Sequence, residues 1–235
     1  MISSLPLRKI QGLQPAPPGD VWPFTIPSVR SILEDGLIFA PITVIVGENG
    51  AGKSVLLESV AEAFGFPLEG GSLAEQRESI EGESALGNYL QLVRGASRTR
   101  DGLFFRAETA HSFQDFLASR GSDRGKALLN QSHGESSLAL IGSSTVGQGL
   151  WILDEPESGL SFQGQLTLLQ LLLDHVRAEG QVILCTHSPV LMAVRGALLL
   201  EIGEWGIRPT EYEELESVAL WRSFLQAPER FMRHF

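Results

Sequence analysis

The sequence predicts an α/β domain with a mostly parallel central sheet flanked by helices. Three observations carry that expectation. A β-branched run, Ile42 to Val46, feeds a glycine-rich turn that opens a helix at Lys53. An apolar run, Leu150 to Leu153, ends in the carboxylates Asp154 and Glu155. A third apolar run, Val182 to Thr186, leads into His187. Strands alternating with helical stretches favour parallel pairing under helical layers.

Taken in order, residues 1 to about 29 carry Pro6, Pro15, Pro17, Pro18, Pro23 and Pro27, which excludes a long helix or a central strand and leaves short edge strands. Arg30 to Phe39 reads as a strand or turn-strand punctuated by Gly36. Ile42 to Val46 has the composition of a strand covered on both faces. Leu56, Val60 and Ala63, with Leu57 and Phe64 beside them, repeat at helical spacing. Phe66 to about Gly134 is irregular, with helices expected at Leu86 to Val93 and Ser112 to Leu117 and a strand at Gly102 to Arg106. Ser136 to Ile141 begins a helix and Gln165 to Val176 forms a long one stopped by Gly180. Leu198 to Ile202 is a further strand, and the tail from Glu211 is helical with a break at Pro228. We expect a single domain over residues 1–235 with a helical or irregular insertion at about 66–140.

The turn after the first central strand fits G-x-x-x-x-G-K-[ST] without a gap: Gly47, Glu48, Asn49, Gly50, Ala51, Gly52, Lys53, Ser54, followed by Val55. Glycines let the backbone curl so that successive N–H groups point at phosphate oxygens. The opening helix adds unpaired N–H donors and the positive end of its dipole. Lys53 reaches the β- and γ-phosphates, and the Ser54 hydroxyl can ligate Mg²⁺. An aspartate at the end of a neighbouring strand, here Asp154, completes the metal site, and Glu155 is placed to polarise the attacking water. Ligands of open α/β sheets bind at the carboxyl ends of strands, which puts His187 in the same crevice, sensing the γ-phosphate.

The composition sets bounds. At 235 residues the chain buries one large core, and 43% hydrophobic residues is the content of a folded protein. No apolar run approaches the ~20 residues that span a bilayer, the first ten residues lack a signal-peptide core, and the lone Cys185 excludes a disulfide framework, so a cytoplasmic location is expected. A net charge of −10 argues against a uniformly nucleic-acid-attracting surface. Arg94, Arg98, Arg100, Arg106, Arg120, Arg124 and Lys126 leave a local basic patch open, with an ordinary solvated face as the alternative.

The phosphate loop, a strand ending in Asp154-Glu155-Pro156 and a strand ending in Thr186-His187-Ser188-Pro189 together resemble the ABC-type ATPases. Within them the chain looks like the soluble branch of SMC- and RecF-like ATPases, over most of residues 25 to 205. The resemblance implies an N-terminal antiparallel β region, a small helical subdomain, ATP and Mg²⁺ as ligands, and a homodimer that sandwiches two ATP molecules. It implies Glu155 as catalytic base and His187 as the γ-phosphate contact. It also implies a signature segment gripping the nucleotide of the partner subunit. Gln131 to Ser136 is the candidate, with Ser132, Gly134 and Glu135 as contacts and a plainly capped helix start as the alternative. Pro156 to Ser161 resembles the D-loop, with Ser161 where an aspartate is usual. Arg30 stands where SMC-like relatives carry a nucleotide-contacting arginine, or is a solvated surface arginine. Trp22 or Phe24 stacks on adenine, or packs the proline-rich segment. In the place of the glutamine that ligates Mg²⁺ in the family, Phe104 to Glu108 offers Glu108, with Gln114 behind it. The nucleotide switch would serve a DNA-related process; the second hypothesis is the nucleotide-binding subunit of a membrane transporter, and the third is a phosphoryl-transferring kinase.

Overall fold

The computed structural model describes residues 4–13, 19–67, 70, 86–96, 101–109, 133–142, 144 and 149–233. Its centre is a six-stranded sheet in the order β5-β6-β7-β3-β8-β9. The strands are β3 (Ile42–Gly47), β5 (Gly102–Arg106), β6 (Leu150–Asp154), β7 (Gln181–Cys185), β8 (Leu198–Gly203) and β9 (Gly206–Pro209). All neighbours pair in parallel except β8 and β9, a hairpin closed by Gly203 and Gly206. A second, antiparallel sheet holds β1 (Leu7–Gly12) between β2 (Leu37–Ile38) and β4 (Leu90–Arg94). The expected parallel sheet and N-terminal antiparallel region are both present.

Each face of the large sheet owns a core. Ile45, Ile152, Ile183 and Cys185 point to one side, where α2 (Lys53–Phe64) and the antiparallel sheet cover them. Val44, Val46, Trp151, Leu153, Val182 and Leu184 point to the other. There they meet α3 (His133–Gly142), α4 (Phe162–Arg177), the short α5 (Pro189–Met192) and α6 (Glu216–Gln226). Period-two alternation within a continuous apolar run is what a strand buried on both faces requires. The tail is helical as expected, α6 giving way at Ala227 to α7 (Pro228–Met232).

Two segments differ from the sequence-based expectation. Arg30 to Phe39 is not strand-like over most of its length: α1 (Pro27–Asp35) occupies it, and only Leu37 and Ile38 pair as a strand. Pro27 at the first helical turn supplies a preset φ, and Val29 and Ile32, three apart, both bury. Gly36 at φ 73° ends the helix by donating its N–H to the Ile32 carbonyl, so it punctuates as expected. Leu86 to Val93 is not a helix either. One 3₁₀ turn, Gly87–Tyr89, leads into β4, whose partner β1 lies about 80 positions away in the chain, a distance local propensity does not register. The helix expected at Ser112 to Leu117 lies outside the described residues.

The two sheets are tied by one side chain. Gln181 is buried; its Oε1 accepts from the Leu7 N–H at 2.9 Å, and its Nε2 donates to the carbonyls of Leu7 at 2.7 Å and Ala40 at 3.1 Å. Replacing Gln181 with Leu would take away the hydrogen bonds of two buried backbone groups of Leu7 and of the half-buried Ala40 carbonyl. The variant is expected to lose about 2–4 kcal/mol of stability in urea titration, since each orphaned buried group costs about 1–3 kcal/mol and neighbours share the cost. A loss under about 0.5 kcal/mol, the range of an ordinary surface substitution, would show that the tie is not structural.

Candidate active site

The strands β6, β7 and β3 lie side by side and run in the same direction, so Asp154, Cys185 and Gly47 end on one edge of the sheet. Every central element of the site starts from that edge. Beyond β3 the chain turns through Glu48 to Gly52 into α2. Gly52 caps the helix at φ 96°, a left-handed conformation, and a Cβ there would stand 2.8 Å from Ile26 Cγ2 and 2.9 Å from Ser28 Oγ. The Ser28 hydroxyl donates to the Ala51 carbonyl at 3.0 Å, so the start of α1 braces the loop. No sequence pattern signals that support, because Ser28 and Ala51 meet only in the fold.

Lys53 opens α2 and is 5% exposed. Its Nζ donates to the Gly47 and Glu48 carbonyls, both at 2.9 Å, folding the lysine over its own loop. Burial lowers the pKa of the ammonium below its ordinary value, while the carboxylates of Glu155, Asp154 and Glu157 pull it back up. Among the described residues no salt bridge reaches Lys53. An anionic group bound here would supply a counter-charge to this buried cation.

Ser54 donates from its hydroxyl to Asp154 Oδ1 at 3.3 Å. Asp154 is 6% exposed, and burial pushes its pKa from 3.8 up to about 6 despite the Ser54 hydrogen bond and the nearby Arg106. A desolvated carboxylate beside a hydroxyl is an oxygen donor pair suited to a hard divalent cation. Among the described residues no cluster of three His, Cys, Asp or Glu residues could hold a metal alone. Mg²⁺ held by this pair would need further oxygens, such as those of a phosphate, to complete its shell.

Glu155 follows at φ 49°, an uncommon conformation for a residue with a side chain, and donates its N–H to the Cys185 carbonyl at 3.0 Å. Its Oε1 stands 3.5 Å from His187 Nε2, with both side chains about two-fifths exposed. A carboxylate and an imidazole facing one another at the open mouth of the site can share a proton taken from water.

The weaker candidates fall out differently. Glu108 is 85% exposed on its side chain, 3.3 Å from Arg106 Nη2. Arg106, expected only as one member of a basic patch, sits in register with Asp154, its Nε 3.8 Å from Asp154 Oδ2 and its Nη2 2.9 Å from Glu58. It is a fixed cation beside Asp154. Nothing in the sequence flags that role, because strand register is invisible there. Arg30 donates to the carbonyls of Phe24 at 3.0 Å and Gly19 at 2.9 Å, holding the proline-rich segment against α1. Phe24 is buried edge-on against Tyr89, so packing accounts for it, whereas Trp22 is 66% exposed. Gly134 begins α3 against the Gly159 turn, where a Cβ would stand 2.6 Å from the Gly159 carbonyl. Glu135 lies exposed in the same first turn. Ser132 and Gln114 lie outside the described residues, as do Arg98, Arg100, Arg120, Arg124 and Lys126. Ser161, the departure in the D-loop-like segment, caps α4 by accepting the Gly164 N–H at 3.1 Å.

A family profile described as “AAA domain, putative AbiEii toxin, Type IV TA system” matches residues 91–193. The “Cytochrome c biogenesis ATP-binding export protein CcmA” of Nitrobacter winogradskyi is 31% identical over 163 residues, which are 64% of this chain and 80% of that protein. The chain belongs to the ABC-type ATPases. To this ABC-type ATPase the protein of the same name from Rhodopseudomonas palustris is 28% identical over 177 residues, 68% of this chain and 87% of that one. The solved SMC head domain from Thermotoga maritima aligns over 75% of this chain and 93% of its own at 17% identity and TM-score 0.43. Among the described residues no helix is long and apolar enough to cross a membrane.

The raised pKa of Asp154 yields a pH signature. The folded chain holds this proton more tightly than the unfolded chain, so stability falls as pH rises from 3.8 to about 6 and the penalty persists above. Asp154→Asn is therefore expected to be more stable than the parent at pH 8, by about 1–3 kcal/mol, since each tenfold change in proton affinity is worth about 1.4 kcal/mol. The gain should vanish below pH 4, where both side chains are neutral, and urea titrations at the two pH values read it. A variant less stable than the parent at pH 8 would refute the desolvated carboxylate.

Proposed function

We propose that this chain binds MgATP and hydrolyses it to ADP and phosphate, and that two copies close around two ATP molecules and reopen after hydrolysis. One observation carries the reading. Lys53, the Ser54–Asp154 pair and the Glu155–His187 pair meet at the carboxyl ends of three adjacent parallel strands. A lysine alone binds anions, but a hydroxyl–carboxylate pair beside it with a base facing the solvent side is a hydrolytic arrangement.

Lys53 would leave the two loop carbonyls for the β- and γ-phosphoryl oxygens as the loop N–H groups of Gly50, Ala51 and Gly52 take up phosphate oxygens. Mg²⁺, when bound, would be held by Ser54 and Asp154 and would neutralise charge building on the leaving and transferred oxygens. Glu155 accepts a proton from water as the water oxygen bonds to the γ-phosphorus and the bond to the β-phosphate oxygen breaks. His187 orients Glu155 and donates toward the γ-phosphate. Ser132, Gly134 and Glu135 of the opposite copy would cover the far side of that phosphate, and Glu108 and Arg30 remain candidates for the metal shell and the nucleotide.

For the task that the cycle drives, the names of the relatives support the transport reading: they are ATP-binding export proteins. The nucleotide-binding subunit of a membrane exporter is thus favoured over a DNA-related role. Of the basic residues behind the DNA reading, Arg106 is largely covered and pairs with Glu58, whereas Arg94 is exposed with its guanidinium over the Phe64 ring. Co-purification of the tagged chain with an integral membrane protein supports the exporter; ATP-stimulated, salt-sensitive DNA binding would reverse the order.

Glu155→Gln tests the reaction. It keeps the shape of the site and removes the base, so turnover should fall by about 10²–10⁴-fold while MgATP still binds. Size-exclusion chromatography with MgATP should then show a dimer absent with ADP. Unchanged turnover, or a monomer at saturating MgATP, would overturn the proposal.

A further inference from the structure

Glu157 lies two residues beyond Glu155, in the turn that connects β6 to α4, and takes no part in the proposed reaction. Its Oε1 accepts two consecutive backbone N–H groups across the crevice, His187 at 2.6 Å and Ser188 at 3.1 Å. Its other oxygen, Oε2, is buried and without a hydrogen-bond partner among the described residues. A buried carboxylate oxygen is costly to leave unpaired, so packing alone is a poor reason for this placement. The turn itself is rigid: Ser158 N–H donates to the Glu155 carbonyl at 3.0 Å and Leu160 N–H to the Glu157 carbonyl at 2.9 Å. The histidine loop is fixed from its other side, the Ser188 hydroxyl donating to Gln165 Oε1 at 2.6 Å and the Ser188 N–H also reaching Thr186 Oγ1 at 2.9 Å.

We propose that Glu157 is a positioning residue that clamps the His187 main chain to the turn after Glu155, so that movement of that turn moves the γ-phosphate histidine. The inference rests on the proposed ATPase reading. The clamp spans the two short segments that bear the base and its imidazole, and it holds His187 Nε2 at 3.5 Å from Glu155 Oε1. The same turn carries Gly159, whose carbonyl packs on Gly134 at the start of α3. A displacement of α3 when a second copy docks would therefore reach His187 through one carboxylate. A charge-assisted acceptor is suited to this because it grips two donors at once and keeps its length as the turn shifts.

Two variants test the clamp. Glu157→Gln keeps an oxygen that can accept both N–H groups, and Glu157→Ala removes it. Amide hydrogen exchange read residue by residue in the chain without added nucleotide should show about tenfold less protection at His187 and Ser188 in Glu157→Ala, the loss of the oxygen that accepts both N–H groups, with Glu157→Gln near the parent. In steady-state turnover Glu157→Ala should lose at least about tenfold in kcat with KM for ATP within twofold, because positioning acts on the reaction and not on binding. Glu157→Gln should recover most of that loss. Unchanged protection at both amides in Glu157→Ala overturns the clamp, as does a loss shared equally by kcat and KM, or a Gln variant no better than Ala. If Glu157→Ala unfolds, Glu157→Gln decides: parent-like exchange and kcat support the clamp, and a tenfold fall in either overturns it. A parent that binds but never hydrolyses ATP would end the ATPase reading while the exchange result still decides the contact; an active parent with an indifferent Glu157→Ala ends the clamp alone.

Discussion

A buried ammonium and a buried carboxylate, held at one edge of a parallel sheet, are the constraint on which the site depends. Lys53 and Asp154 are both nearly excluded from water, and burial disfavours the charged form of each. Neither neutralises the other by direct contact: Lys53 leans on two carbonyls and Asp154 on a serine hydroxyl, with the Arg106 guanidinium 3.8 Å away. Two desolvated charges, Asp154 with only the 3.8 Å Arg106 contact and Lys53 with no salt bridge among the described residues, are a standing cost, which a magnesium–phosphate ligand would relieve at both ends at once. Desolvation is thus least compensated at Lys53, where the proposed substrate binds.

The architecture explains how these buried charges are tolerated. Parallel strands bring three chain segments to one edge with their last residues level, and two apolar cores hold the edge rigid from both faces. The positive φ of Glu155 and the left-handed Gly52 sit where regular pairing stops and the loops must turn sharply. Strain concentrates there because the layers behind it leave no alternative path. The antiparallel sheet, joined through Gln181, stabilises the same layer from outside and carries α1 to the back of the phosphate loop.

Much of this is legible in the order of residues. Contiguous motifs carry their own geometry: residues 47 to 54 dictate a loop and a helix start, and Asp154, Glu155 and His187 inherit their places from the strands they end. The failures share one cause. Arg30 to Phe39 and Leu86 to Val93 are short and weakly patterned, so packing partners far along the chain chose helix for one and strand for the other. Phe24 packs as the proline-rich segment led one to expect, but its partner Tyr89, 65 positions away, is not legible there.

Local order therefore fixes which chemistry the chain carries: the phosphate loop, the acid pair and the histidine are specified by residue type and spacing, since a turn and a strand end are made by neighbours. Register and loop-to-loop contact lie beyond that reach. Arg106 faces Asp154 because β5 and β6 pair in one register and no other, and Glu157 finds the His187 and Ser188 amides because two turns meet across the crevice. Such contacts join residues 30 or more positions apart, and only closing the chain into two packed layers brings them within hydrogen-bonding distance.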